Sequence, residues 1–175
     1  MPLVKDGRIV EDRFVQVLDD GPLPEGAPVL LPAPRFLADH AELAMRGAPV
    51  GVIWPNSSPV AELAPHLQQL ALVALVFPTF KDGRAYSQAR LLREKYGYRR
   101  ELRATGDVLQ DQFQFLLRAG FDSFEVAKPE DAERFEAAAR RHTVFYQPAA
   151  DNALTILQQR LRRRGQAARE PERTP

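Results

Sequence analysis

Along the first eighteen residues apolar and polar positions alternate, LVKDGRIVEDRFVQVL, on either side of Asp6 and Gly7. Asp-Gly between two alternating runs is a hairpin signal, because a tight turn matching the strand twist needs positive φ at both central positions. The pattern predicts a β-ribbon, followed by a Pro- and Gly-containing connection from Asp19 to Pro28. From Val29 the pattern changes. Apolar runs VLLPA, PVGVIWP, LVALVFP, ELRAT and SFEVA start at Val29, Pro49, Leu72, Glu101 and Ser123 and alternate with helical patterns. Strand and helix in alternation mean βαβ units with right-handed crossovers. The expected fold is therefore α/β: a mainly parallel sheet of five or six strands, open or a partial barrel, with an N-terminal β-ribbon and a fraying C-terminal helix.

Gly47, Gly97 and Gly120 stand where a left-handed residue would end a helix. Pro59 and Pro129 mark helix starts, the second followed by Glu130, Asp131 and Glu133, acids that suit a helix N-terminus. Pro65, inside AELAPHLQQL, should kink its helix or delay its start. TVFYQ after Arg141 is a candidate last strand and DNALTILQQRLRRR a last helix. The chain divides on this reading into a ribbon and connection over 1–28, one α/β domain over 29–160 and a basic, disordered tail over 161–175.

Length and composition fit that picture. A chain of 175 residues suits one core. There is no Cys, which excludes thiol redox chemistry and cysteine-ligated iron–sulfur or zinc sites; no cofactor is expected. No histidine spacing suggests a metal, and GxGxxG, GxxxxGK[ST] and GxSxG are absent. The N-terminus has no apolar run long enough for a signal peptide or membrane helix, so the expected location is cytoplasmic, with no membrane partner. A net charge of +1 argues against nucleic acid. The charge is unevenly distributed, however: Lys81–Arg103 carries +5 and Arg160–Pro175 carries +4, leaving −8 on the remainder.

Parallel sheets bind ligands at the carboxyl ends of their strands, which ranks the loops. The loop after LVALVFP holds Lys81, Asp82, Gly83, Arg84, Tyr86 and Ser87; the loop after ELRAT holds Gly106 and Asp107. On a helical wheel Ala89, Leu92 and Tyr96 form a core stripe, and Tyr86, Arg90 and Arg93 an adjoining one. With Arg84 in the loop and Arg103 near a strand end, four guanidiniums could converge on a sulfate, phosphate or carboxylate group, whose paired oxygens match the Arg fork. The competing reading has Arg90 and Arg93 as exposed residues paired with carboxylates. Asp107, three before Gln110, has capping-box spacing and reads first as an N-cap, with proton transfer as the alternative. Asp82 is the other proton-transfer candidate. Phe115 falls off the core stripe of its helix, suggesting a partner surface.

The run FPTFKDGRAYSQARLLREKYGYRRELRATGDVLQDQFQFLLRAGFDSFEV, Phe77 to Val126, resembles the signature block of a bacterial family catalogued as domain of unknown function 934. That block reads FPxFxDGR, YSxARxLR, ELRAxGDVxxDQ and RxGFDxFE; GVIWP at Gly51 is similar to its weaker upstream part. The resemblance implies a place in assimilatory sulfate and sulfite reduction, toward cysteine biosynthesis, under the label of a probable oxidoreductase. Sulfite reduction itself needs a haem-type centre and an iron–sulfur cluster normally held by Cys, which this chain lacks. Two expectations follow. One is an accessory protein that binds sulfite reductase, its reductant or a sulfite, sulfate or phosphate-type anion; the other is a barrel-like enzyme acting on an anionic substrate through Asp82 or Asp107. Association with further copies of the chain stays open in either case.

Overall fold

The structure is a computed structural model that describes residues 2–18, 21–134 and 155–167. The Asp-Gly turn joins β1 (Leu3–Lys5) to antiparallel β2 (Arg8–Val10), with Asp6 at φ 53° and Gly7 at φ 71°. Next come β3 (Val15–Gln16) and β4 (Val29–Pro32), then α1 (Ala33–Ala44), β5 (Val50–Trp54) and a 3₁₀ segment over Val60–His66. After β6 (Leu70–Phe77), α2 (Arg84–Arg90) runs into a π turn over Leu91–Lys95. The series continues with β7 (Glu101–Gly106), a 3₁₀ turn over Gln110–Gln112, α3 (Phe113–Ala119) and β8 (Ser123–Glu125). Residues 129–134 are helical, as Pro129 foretold. A last helix, Ile156–Ala167, is capped by Thr155 and Gln158, which exchange hydrogen bonds. The expected strand TVFYQ and the tail beyond Ala167 lie outside the described residues.

All eight strands form one mixed sheet, in the order β2-β1-β8-β7-β6-β5-β4-β3. Strands β3 to β8 pair in parallel, while the ribbon adds two antiparallel strands through β1 and β8. The sheet is thus larger than the five or six strands expected, because both the ribbon and Val15–Gln16 join it.

This order forces curvature. Strands β2 and β3 are consecutive in the chain yet lie at opposite edges. Val10 and Val15 can be at most about 18 Å apart along five residues, whereas the edges of a flat eight-stranded sheet are about 34 Å apart. The sheet therefore curls into a half-barrel, and Glu11 to Phe14 cross its open side as a strap.

Helices α1, α2 and α3 and the 3₁₀ segment cover the same face of the sheet. Phe36 and Leu43 of α1, Leu63, Ala85 and Ala89 of α2, and Phe113 and Leu116 of α3 share one buried cluster with Leu31, Val52, Trp54, Val73, Leu75, Leu102, Ala104 and Phe124. The inner face carries a small apolar cluster of Leu30, Leu72 and Ala74, against which Phe14 and Ile53 pack. Gly51 lies between Leu30 and Leu72, where a Cβ would come within 3.0 Å of each.

Pro65 is accommodated because its segment is 3₁₀. Gly97 and Gly120 have the positive φ expected, but Gly47 does not; α1 ends earlier, at Met45. No helix among the described residues is long and apolar enough to cross a membrane.

Candidate anion-binding cleft

The loop after β5 is tied from beneath. Trp54 is fully buried, and its indole Nε1 donates to Ser58 O (3.1 Å). From α2, Gln88 Nε2 donates to Pro55 O (3.1 Å) and Ser58 O (2.8 Å). These bonds fix the segment Pro55-Asn56-Ser57-Ser58 against the start of α2. Between them opens a cleft of about 430 Å³, lined on the loop side by Asn56, Ser57 and Ser58 and on the helix side by Arg84, Ser87, Gln88, Lys95 and Tyr96.

The wall of the cleft is rich in donors and contains no carboxylate. Arg84 is exposed and forks onto Asp82, with Nε to Oδ1 at 3.0 Å and Nη2 to Oδ2 at 2.7 Å. The Arg84 bond drives the Asp82 carboxyl far below the ordinary range, and Asn56 adds to this. Nη1 of Arg84 has no partner among the described residues and remains available to a ligand. Lys95 Nζ lies 5.3 Å above the Tyr96 ring, and Ser57 and Ser87 are exposed.

The expected convergence of arginines does not occur. Arg90 is exposed and pairs with Glu94 at 3.3 Å. Arg93 is buried: Nε donates to Gly120 O (2.8 Å), Nη1 to Tyr98 O (2.7 Å) and Arg100 O (2.9 Å), and Nη2 to Asp122 (2.6 Å). The π turn explains this. Widening the helix from Leu91 turns Arg93 away from the Tyr86 stripe and inward beside Leu92. Arg103, 1% exposed, points to the inner face, since it alternates with Leu102 and Ala104 in the helix-side core.

There Arg103 is saturated by acids. It forks onto Asp12 of the strap at 2.7 and 3.0 Å and reaches Glu101 at 3.1 Å and Glu125 at 3.3 Å, while Phe14 lies under its guanidinium. Lys5 and Ser123 each donate to Glu101 at 2.7 Å. Burial opposes ionisation of Glu101, but Lys5, Ser123 and Arg103 together hold its pKa below the ordinary 4.5. A cavity of about 720 Å³ adjoins this group at the amino ends of the parallel strands, beside Pro28, Pro49 and Ala71. It is larger than the cleft, yet Lys5, Asp12, Glu101 and Arg103 in its wall are already paired with one another.

Asp107 is not a helix cap; the 3₁₀ turn starts later, after Leu109, and Asp107 Oδ2 accepts from Phe80 N (2.9 Å) of the neighbouring loop. Gly106 permits that approach: at φ 94°, a Cβ there would sit 2.4 Å from Phe77 O. Tyr86 packs on Phe77 at 5.2 Å, and burial, with the charge of Asp111, raises its phenol pKa. Lys81 is exposed, 5.6 Å from the Phe80 ring centre. Phe115 is 70% exposed, and Phe80 and Leu109 also reach solvent. No cluster of three or more metal-ligating side chains occurs among the described residues.

A sequence model described as a bacterial protein of unknown function (DUF934) matches residues 51–157. The chain belongs to the DUF934 family. No curated protein matches it. The DUF934 segment contains every cleft residue, from Asn56 to Tyr96, and Arg103, whereas Asp12 and Phe14 of the strap precede it. Of the residues lining the cleft, Arg84 and Ser87 are candidates in the sequence, whereas Asn56, Ser57, Gln88 and Lys95 are not singled out there. The missed signal was the triplet Asn-Ser-Ser directly after the strand GVIW, at a carboxyl end where ligands bind.

Proposed function

We propose that the chain binds a small oxyanion in the cleft between the β5 loop and α2, and serves sulfite reduction as an accessory protein without performing that reduction itself. The observation that carries this reading is the make-up of the cleft: Arg84, Lys95, three serines and the Asn56 amide surround it with no carboxylate in the wall. The charged donors, Arg84 on α2 and Lys95 on the π turn, attract an anion, and the loop facing them is already held by Trp54 and Gln88. The pathway rests on family resemblance, which makes sulfite, sulfate and phosphate the anions to test. A catalytic reading through Asp82 or Asp107 has less support. Asp82 is held ionised by Arg84 as part of a local turn, and Asp107 joins two loops.

Titration calorimetry with sulfite, sulfate and phosphate tests the reading. At least one should bind, and Arg84→Ala and Lys95→Ala should each weaken it about tenfold, as loss of a charge-assisted bond implies. Equal affinity in all three proteins dismisses the cleft. The exposure of Phe80, Leu109 and Phe115 favours a second role, docking of sulfite reductase or its reductant through these side chains. Co-purification with sulfite reductase that persists in Phe115→Ser counts against that docking. Normal growth of a deletion strain on sulfate removes the pathway.

A further inference from the structure

The two walls of the cleft change character along their length, and they change together. On the loop side Ser57 and Ser58 give way to Pro59 and Ala61; on the helix side Arg84 and Ser87 give way to Leu91 and Tyr96. Two contacts fix the register between the walls. Asn56 acts on the Asp82 carboxylate that Arg84 grips, and Gln88, one turn further along the helix, donates to Ser58 O. The walls therefore run in the same direction, and the polar end of one faces the polar end of the other. Arg84, Ser87 and Leu91 follow at three- and four-residue intervals along one helix face, which puts Leu91 beyond the serines.

The apolar end is open to a ligand. Leu91 is 44% exposed and stands outside the buried cluster that the helix shares with the sheet, and Pro59 and Ala61 across the cleft are exposed as well. The π turn shapes this end: Tyr96 N donates to Leu91 O (3.1 Å), which brings Tyr96 into the same wall. Size adds a second argument. A tetrahedral oxyanion fills the space of roughly three waters, about 30 Å³ each, whereas the cleft holds about 430 Å³. A cleft several times larger than the ion, polar at one end and apolar at the other, fits an organic molecule that carries the ion.

We infer that the ligand is an oxyanion ester, a phosphate or sulfate group on a ring-sized apolar body, with the oxyanion at Arg84, Ser57 and Ser87 and the body between Leu91 and Ala61. The inference rests on the anion-binding reading and names the class of molecule that bears the anion. An inorganic ion leaves Leu91 in water, while an apolar body laid on it removes apolar surface of both partners from water.

The test is calorimetric titration of the full chain at neutral pH with phosphate, methyl phosphate and phenyl phosphate, and in parallel with sulfate, methyl sulfate and phenyl sulfate, repeated with Leu91→Gln. Each methyl ester matches the charge of its phenyl partner, so the ring alone separates them. In at least one series the phenyl ester should bind about tenfold more tightly than the methyl ester, and the series that shows the gain identifies the oxyanion. Leu91→Gln, a surface change outside the core, should remove most of that gain and leave the methyl ester's affinity unchanged. Equal affinity for phenyl and methyl esters in both series overturns the inference, and so does a gain that Leu91→Gln retains; binding of an inorganic ion then leaves the anion-binding reading standing. Binding of none of the six, nor of sulfite, overturns both.

Discussion

Arg84 and Arg103 lie nineteen residues apart in one basic segment, yet the fold uses their charges in opposite ways. Arg103 is sealed on the inner face and bonded to Asp12, Glu101 and Glu125, so its donors serve the strap that closes the half-barrel. Arg84 is exposed, shares part of its fork with Asp82 and turns the rest toward a cleft without carboxylates. Guanidinium chemistry is identical in both; burial and the supply of acids decide which one can hold a ligand. A buried, fully paired arginine is a structural element, and an underused one beside a preorganised loop is a recognition element.

Removing Arg103 should do the most damage. Arg103→Met strands Asp12, Glu101 and Glu125 around a neutral side chain, and breaking a buried ion group from one side costs about 3–5 kcal/mol. The expected result is a drop in Tm of roughly 10 °C in a chain of this size, with anion affinity in the cleft retained. Loss of binding with no loss of stability would reverse the roles of the two arginines.

The period-two alternation of ELRAT already held part of this answer. Leu102 and Ala104 are apolar and lie on the helix-covered face, so Arg103, between them, had to face the other way. Reading Arg103 by its distance from the strand end hid that parity. The five apolar strands were legible because their runs are long, and the ribbon because Asp6-Gly7 suits a turn with two positive φ angles. The position of Arg93 was not legible, since a π turn depends on what the helix packs against, here Tyr98, Gly120 and Asp122. The edge-to-edge passage of Glu11 to Phe14 was hidden too, because it depends on strand order.

Gly106→Ala comes next in size. A Cβ 2.4 Å from Phe77 O, on a backbone at φ 94°, should cost roughly 3 kcal/mol and pull Asp107 from Phe80 N. Urea unfolding measures the cost, and a midpoint equal to wild type would mean that the β6 and β7 loops are not tied as described.

Acid should probe the inner face selectively. Glu101 has a folded pKa below its ordinary 4.5, so its contribution is present above that value and is lost as pH falls through the lower folded one. Glu101→Gln should therefore flatten the decline of stability below pH 4.5, measured as urea midpoint against pH. An unchanged acid slope would mean that Lys5, Ser123 and Arg103 do not hold the charge.

Arg84→Ala should have the smallest effect on stability, since its pair with Asp82 is exposed and screened. The urea midpoint should match wild type while anion affinity falls. A clear loss of stability would place Arg84 in the same structural class as Arg103.

The most direct test of the cleft is an amide NMR titration of the wild-type chain with phosphate and with sulfite. Saturable shifts should appear at Asn56, Ser57, Ser58, Ser87, Gln88 and Lys95 and be absent from Lys5, Asp12, Glu101 and Arg103. Shifts centred on the second set, or none at any residue, would contradict the account.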